Sequence, residues 1–208
     1  MKNRKKNRLV GYDYSKNNLY FVTSCVKDMQ CCFGYIKSVE TNSILPAENN
    51  SEKEAVLDLP INEFLVTPIR NPKKSINDIA KMELNQYGNI VNSQLKWLEI
   101  QYPYISLHAH IVMPNHIHAI IEINSNVMKT NVEISEATTK IKIKSLSQIM
   151  GAFKTTSSKM IHNTGFEDFS WHRSFHDHII RDERAYFNII NYIRNNPNVW
   201  YSDKFNLK

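Results

Sequence analysis

Two histidines two residues apart, His116 and His118, and a tyrosine near the C-terminus, Tyr192, are the residues whose types and spacing could do chemistry. On a strand, side chains two apart point to the same face. His116 and His118 then share one face, while Ile117, Ala119, Ile121 and Ile123 form an apolar face that must be core. Two imidazoles with Cβ atoms roughly 6–7 Å apart can converge on one divalent ion, because the neutral ring offers a lone pair at pH 7. Glu122 lies on the same face further along and could orient a ligand. Taken alone, such a pair is more often ordinary hydrogen-bonded histidine. His108 and His110 repeat the spacing and read as structural or supporting residues. A zinc site built from all four histidines is the competing arrangement.

The second candidate sits in ERAYFNIINYIRNN, residues 183–196. Tyr186, Ile189, Ile190 and Ile193 make an apolar stripe at helical spacing, and Asn188, Tyr192 and Asn196 lie four apart on an adjoining polar stripe. Tyr192 therefore falls at the margin of the buried face, where a phenol could enter a cleft. Asn196, one turn on, could reach the same ion or phosphate. A tyrosine beside a divalent cation can attack a phosphodiester, because the ion stabilises the charge that develops on phosphate. Periodicity alone is equally satisfied by a half-buried packing tyrosine.

The elements that must hold these residues follow from pattern. Residues 1–18 read as a basic arm ending in a turn at 15–18, and residues 19–26, dense in aromatic and β-branched side chains, as a buried strand. Residues 38–80 are polar, aperiodic and hold Pro46, Pro60, Pro68 and Pro72, which predicts an insertion or long connection, with a short strand at 55–59. A helix is predicted over 87–102, stopped by Pro103. Strands follow over 105–112 and 116–123, then a polar loop over 124–144. A helix over 145–161 is capped by Ser145 or Ser147. The last helix is capped by Asp182 and stops before Pro197. This order predicts an α+β sandwich, a mostly antiparallel sheet with helices packed on it, in a single domain spanning 1–208.

Composition narrows the function classes. Apolar residues make up 42% of the chain, as in a globular protein, and no run approaches the roughly 18–20 apolar residues of a membrane helix. The basic start, MKNRKKNRL, is followed by no apolar stretch, so it is not read as a secretory signal. The three cysteines, Cys25, Cys31 and Cys32, form no CxxC pair, which favours a reducing compartment and a cytoplasmic location. The net charge is +6. From Lys140 onward eleven basic side chains face six acidic ones, a surplus suited to a polyanion such as DNA and also to an ordinary solvated surface.

Several segments together resemble a known family. Residues 8–15 (RLVGYDYS) and 20–23 (YFVT) are similar to its lead-in and first strand, and 113–118 (MPNHIH) to its histidine-hydrophobic-histidine motif, HUH. The helix from Ser145 through Phe153-Lys154, the block 171–181 (WHRSFHDHIIR) and 192–197 (YIRNNP) are similar to its C-terminal half. The chain thus resembles the single-tyrosine HUH transposases of small insertion sequences, in the branch of the REP-associated tyrosine transposases. Only 38–80 and 124–144 fall outside the likeness. The resemblance implies a ferredoxin-like fold. It implies Mg²⁺ or Mn²⁺ held by His116 and His118, and Tyr192 as the nucleophile that forms a 5′-phosphotyrosine and releases a 3′-hydroxyl. Asn196 stands where relatives carry a polar helper, often the longer glutamine. The implied partner is single-stranded or hairpin DNA, met by a monomer or a homodimer. Arg181, His178, Arg173, Lys154 and Arg194 are the candidate DNA contacts, Arg181 because a guanidinium suits bidentate phosphate binding. An ion pair with Asp177 or Asp182 would be its structural alternative. Trp171, Phe175 and Trp200 could stack unpaired bases or pack in the core. A non-catalytic DNA-binding protein of the same fold is the alternative function.

Overall fold

The computed structural model describes residues 9, 11–40, 78–130 and 142–206. The basic arm over 1–8 and the strand expected at 55–59 lie outside them. Strand β1 (Asn18–Cys25) is followed by β2 (Gly34–Glu40), β3 (Asp78–Leu84), α1 (Gln86–Gln101), β4 (Ile105–Val112) and β5 (His116–Ile123). One helical turn, α2 (Val127–Thr130), precedes α3 (Leu146–Asn163), β6 (His176–Ile180) and α4 (Glu183–Val199). The main sheet runs β4-β5-β1-β6, and β2 and β3 form a separate ribbon. Every neighbouring pair in the main sheet is antiparallel. Setting β2 and β3 aside, the chain order is βαββαβ with β5 inserted between β4 and β1. That is the split βαβ arrangement of a ferredoxin-like sandwich, as expected. The chain divides into two compact units, one of residues 1–37 and 80–208, the other of residues 38–79.

Alternation along the strands sorts the two faces. Tyr20, Val22, Ile117, Ala119, Ile121 and Ile123 enter the large core with Val91, Leu95 and Leu98 of α1 and Leu146, Ile149, Met150, Phe153 and Ile161 of α3. The opposite face offers Leu19, Phe21, Ala109, Ile111, Ile120 and Ile180 to α4, through Ala185, Tyr186, Ile189, Ile190 and Ile193. The predicted apolar stripe of the last helix is thus the stripe that packs, and the sheet carries α1 and α3 on one side and α4 on the other.

Local chemistry sets where each helix begins. The Asn85 side chain accepts from the Tyr87 and Gly88 amides at the start of α1, and Ser145 and Gln148 form a reciprocal capping box on α3. Asp182 Oδ1 accepts from the Ala185 amide at 2.8 Å, the cap expected for α4. Gly88 is required by space: a Cβ there would lie 2.1 Å from the Phe33 carbonyl oxygen.

Three expectations change. Strands β2, β3 and β6 were not expected; the first two mix polar and apolar residues, and β6 (HDHII) has five residues. Pro197 does not end the last helix but lies within its final turn. The missing amide costs that turn one hydrogen bond. Burial of Pro197 with Ile193 and Trp200 offsets the loss. Trp171, Phe175 and Trp200 are all buried, so none presents a ring for base stacking.

A histidine pair and a tyrosine in a groove

β5 delivers the pair as its alternation dictates. His116 and His118 turn away from the main core, toward the side that α4 covers, and both are buried, at 0% and 1% exposure. Their Nε2 atoms are 3.1 Å apart. Two nitrogens bound to one octahedral cation at about 2.1 Å would be separated by about 3.0 Å, so the rings already stand at ligand spacing. His116 packs against Trp200 and Phe205, and His118 stacks on Phe21 with centroids 5.4 Å apart. Burial holds the His116 imidazole down to about 3, with help from Lys204. His118 is also well below its ordinary value, through burial first, then His116 and Lys204. Both rings are neutral at pH 7, the form that ligates.

α4 brings the tyrosine to them. Tyr192 Oη lies 3.2 Å from His118 Nε2, and its ring meets the edge of Phe21. At 40% exposure the phenol remains reachable. Burial and then Asp203 push its pKa up, while a hydrogen bond from Asn196 pulls it down. Asn196 is fully buried one turn further on, and its Nδ2 donates weakly to Asp203 at 3.4 Å. Its Oδ1 has no hydrogen-bond partner among the described residues. An unpaired buried oxygen is costly unless something else satisfies it. A divalent cation is such a partner. With the two imidazole nitrogens, Asn196 Oδ1 would offer a divalent cation one oxygen and two nitrogen donors.

The site opens into a groove of about 750 Å³. Phe21, Thr23 and His118 line its floor, His176 and His178 the side toward the edge strand β6, Asn188 and Tyr192 the α4 side, with Lys204 and Phe205 also contributing.

The other candidates disperse. Glu122 does not serve the pair: it accepts from His108 Nε2 at 2.8 Å, and His108 Nδ1 contacts Tyr186 Oη at 2.9 Å. His110 Nε2 instead meets Asn92 of α1, on the other side of the sheet. A bulge between Leu107 and Ala109 breaks the alternation that would have aligned His108 with His110. The four histidines therefore do not converge, which removes the zinc-site arrangement. His178 lines the groove, whereas Arg181 is exposed in an adjoining hollow with Asp182. Arg173 lies in a hollow along α3, and Arg194 in another beside β3 and β4. Lys154 donates to the His172 and Ser174 carbonyls, holding the loop before β6. Sequence reading missed Asn115, Thr23 and Phe205. Asn115 had a signal in its place beside the pair, but Thr23 and Phe205 reach it only through tertiary packing.

No protein-family model matches the chain. It is 29% identical over 206 residues to an uncharacterised protein of Haemophilus influenzae, covering 97% of this chain and 92% of that one. A solved REP-associated tyrosine transposase bound to a REP hairpin is similar at a TM-score of 0.48 and 15% identity, over 95% of this chain and 76% of that one. A candidate transposase from Deinococcus radiodurans gives 0.41 and 14%, over 90% and 95%. Chains this distant can share a fold without sharing chemistry, so function rests on the site. Among the described residues, no helix is long and apolar enough to cross a membrane.

Proposed function

We propose that this protein is a single-strand DNA endonuclease and transposase that cleaves and rejoins DNA through Tyr192. The observation that carries the reading is the short path from the Tyr192 hydroxyl to His118 Nε2, 3.2 Å, and on to His116 Nε2, 3.1 Å. A phenol at a neutral histidine pair, in an open groove, is a nucleophile beside a cation site. His116, His118 and Asn196 would hold Mg²⁺ or Mn²⁺, which when bound supplies positive charge to the phosphate under attack and to the phenolate.

The chain's own residues do the rest. Tyr192 is kept protonated by burial and by Asp203, so the phenol is dormant until positive charge arrives beside it. Asn196, one turn on, lowers the phenol pKa against that trend. Tyr192 Oη bonds to phosphorus while the bond to the 3′ oxygen breaks. The phenolic proton leaves to water in the groove, and the 3′ oxygen takes one up. The 5′-phosphotyrosine keeps the bond energy for rejoining. The rings of Phe21 and His178 and the ammonium of Lys204 line the groove, a combination that suits unpaired nucleotides. Hairpin-flanked single strands are the proposed substrate, and Arg181, Arg173 and Arg194 are candidate contacts for the flanking backbone. Tyr192 lies against the histidines of its own chain, which supports a monomer over a homodimer as the cleaving unit in this reading. A cytoplasmic location, with access to DNA, belongs to this reading.

The test is a covalent adduct. Labelled hairpin oligonucleotides from the DNA beside the gene, incubated with Mg²⁺ or Mn²⁺, should give a protein–DNA band on denaturing gels that Tyr192→Phe abolishes. An adduct that survives in the variant means another nucleophile. DNA binding with no adduct on any hairpin favours the non-catalytic DNA-binding protein.

A further inference from the structure

The hydrogen bonds behind the two rings fix where their protons sit. Asn115 is fully buried, and its Nδ2 donates to the Met29 carbonyl at 2.9 Å and to the Phe205 carbonyl at 2.8 Å. Turning the amide over would set its oxygen against two oxygens, so its orientation is determined. Its Oδ1 lies 2.8 Å from His116 Nδ1. An amide oxygen only accepts, so His116 carries its proton on Nδ1 and presents a bare Nε2. That Nε2 faces His118 Nε2 at 3.1 Å. Two lone pairs at that distance would repel, so without a cation His118 carries its proton on Nε2. His118 Nδ1 is then an acceptor, 2.8 Å from the buried Thr23 hydroxyl, which donates. A threonine hydroxyl can rotate to play either role.

We propose that Asn115 and Thr23 are positioning residues that give the pair one fixed and one switchable tautomer. Asn115 locks His116 with Nε2 bare. Thr23 lets His118 move its ring proton from Nε2 to Nδ1 when a divalent cation is bound, the hydroxyl turning from donor to acceptor. The ring loses one N–H bond and gains another, and its charge does not change. Partners behind metal-binding histidines act in this way, and losing one typically costs tenfold to a hundredfold in metal affinity, as an order of magnitude. This inference rests on the proposed cation site.

The experiment is ¹⁵N NMR of the histidine rings in the whole protein, first with chelator and then with saturating Mg²⁺. Without metal, His116 should be in the Nδ1–H form and His118 in the Nε2–H form. With Mg²⁺, His118 should switch and His116 should not. Mn²⁺ affinity, read by electron paramagnetic resonance, should fall about tenfold or more in Thr23→Val and be kept in Thr23→Ser. A His116 proton on Nε2 in the metal-free protein overturns the lock, whether or not metal binds. If the metal-free tautomers are as stated but neither ring responds to Mg²⁺ or Mn²⁺, the cation reading falls and the role of Thr23 with it. Asn115→Ala also frees Met29 and Phe205 and risks misfolding, so the decisive readings come from the wild type and the Thr23 variants.

Discussion

The burial of the histidine pair should make the fold sensitive to acid in a defined window. His116 has an ordinary value of 6.5 in the unfolded chain and is held to about 3 in the fold. A histidine depressed in this way adds stability that is fully present above 6.5 and is lost as pH falls toward 3. The unfolded chain takes up the proton throughout that window while the fold refuses it. At pH 5 the unfolded state is favoured over its pH 7.5 level by about 2 kcal/mol through His116 alone, and His118 acts in the same direction. The perturbation is His116→Asn, which does not titrate and places an amide N–H at the δ position, where His116 Nδ1 meets Asn115. The assay is urea unfolding at pH 7.5 and pH 5 with chelator present, so that metal binding does not enter. Wild type should lose about 2 kcal/mol more than the variant, roughly 1 M in urea midpoint at typical slopes. Equal losses in the two proteins would show that His116 takes its proton within the fold, and the account of a dry, neutral pair would be wrong.

Two further outcomes test the scaffold. Asp182→Ala removes the cap from the first turn of α4 and should cost about 1 kcal/mol, lowering Tm by about 2–4 °C with little change in sheet content by circular dichroism; an unchanged Tm would mean that the cap does not hold the helix that carries Tyr192. Phe153→Ala opens a cavity between α3 and the sheet and should cost about 3–5 kcal/mol by denaturant titration. A loss under about 1 kcal/mol would contradict the complete burial of that ring.

The most regular patterns were legible. The alternation in HIHAIIEI put the imidazoles on one face and Ile117, Ala119, Ile121 and Ile123 on the other, and the core is divided that way. The stripe at Tyr186, Ile189, Ile190 and Ile193 gave the packing face of α4, and Asp182 its start. The ribbon of β2 and β3 was not legible, because each strand mixes polar and apolar residues over seven positions and its partners lie 40 or so positions apart in the chain. Pro197 misled the reading of the last helix because local propensity cannot know that the turn it weakens will be buried.

By itself the sequence determined which side chains share a face, where helices begin, and that a tyrosine sits at the edge of a buried stripe. These depend on backbone periodicity and on neighbours within one or two turns. Only the tertiary structure decided that α4 crosses β5 so that Tyr192 meets His118, that the bulge at Leu107 and Ala109 sends His108 and His110 to different partners, and that Asn115 is held by carbonyls from Met29 and Phe205. Those contacts join residues as many as 90 positions apart. A hydrogen bond has a direction, and a pattern of residue types along a chain does not record the direction in which distant atoms will meet.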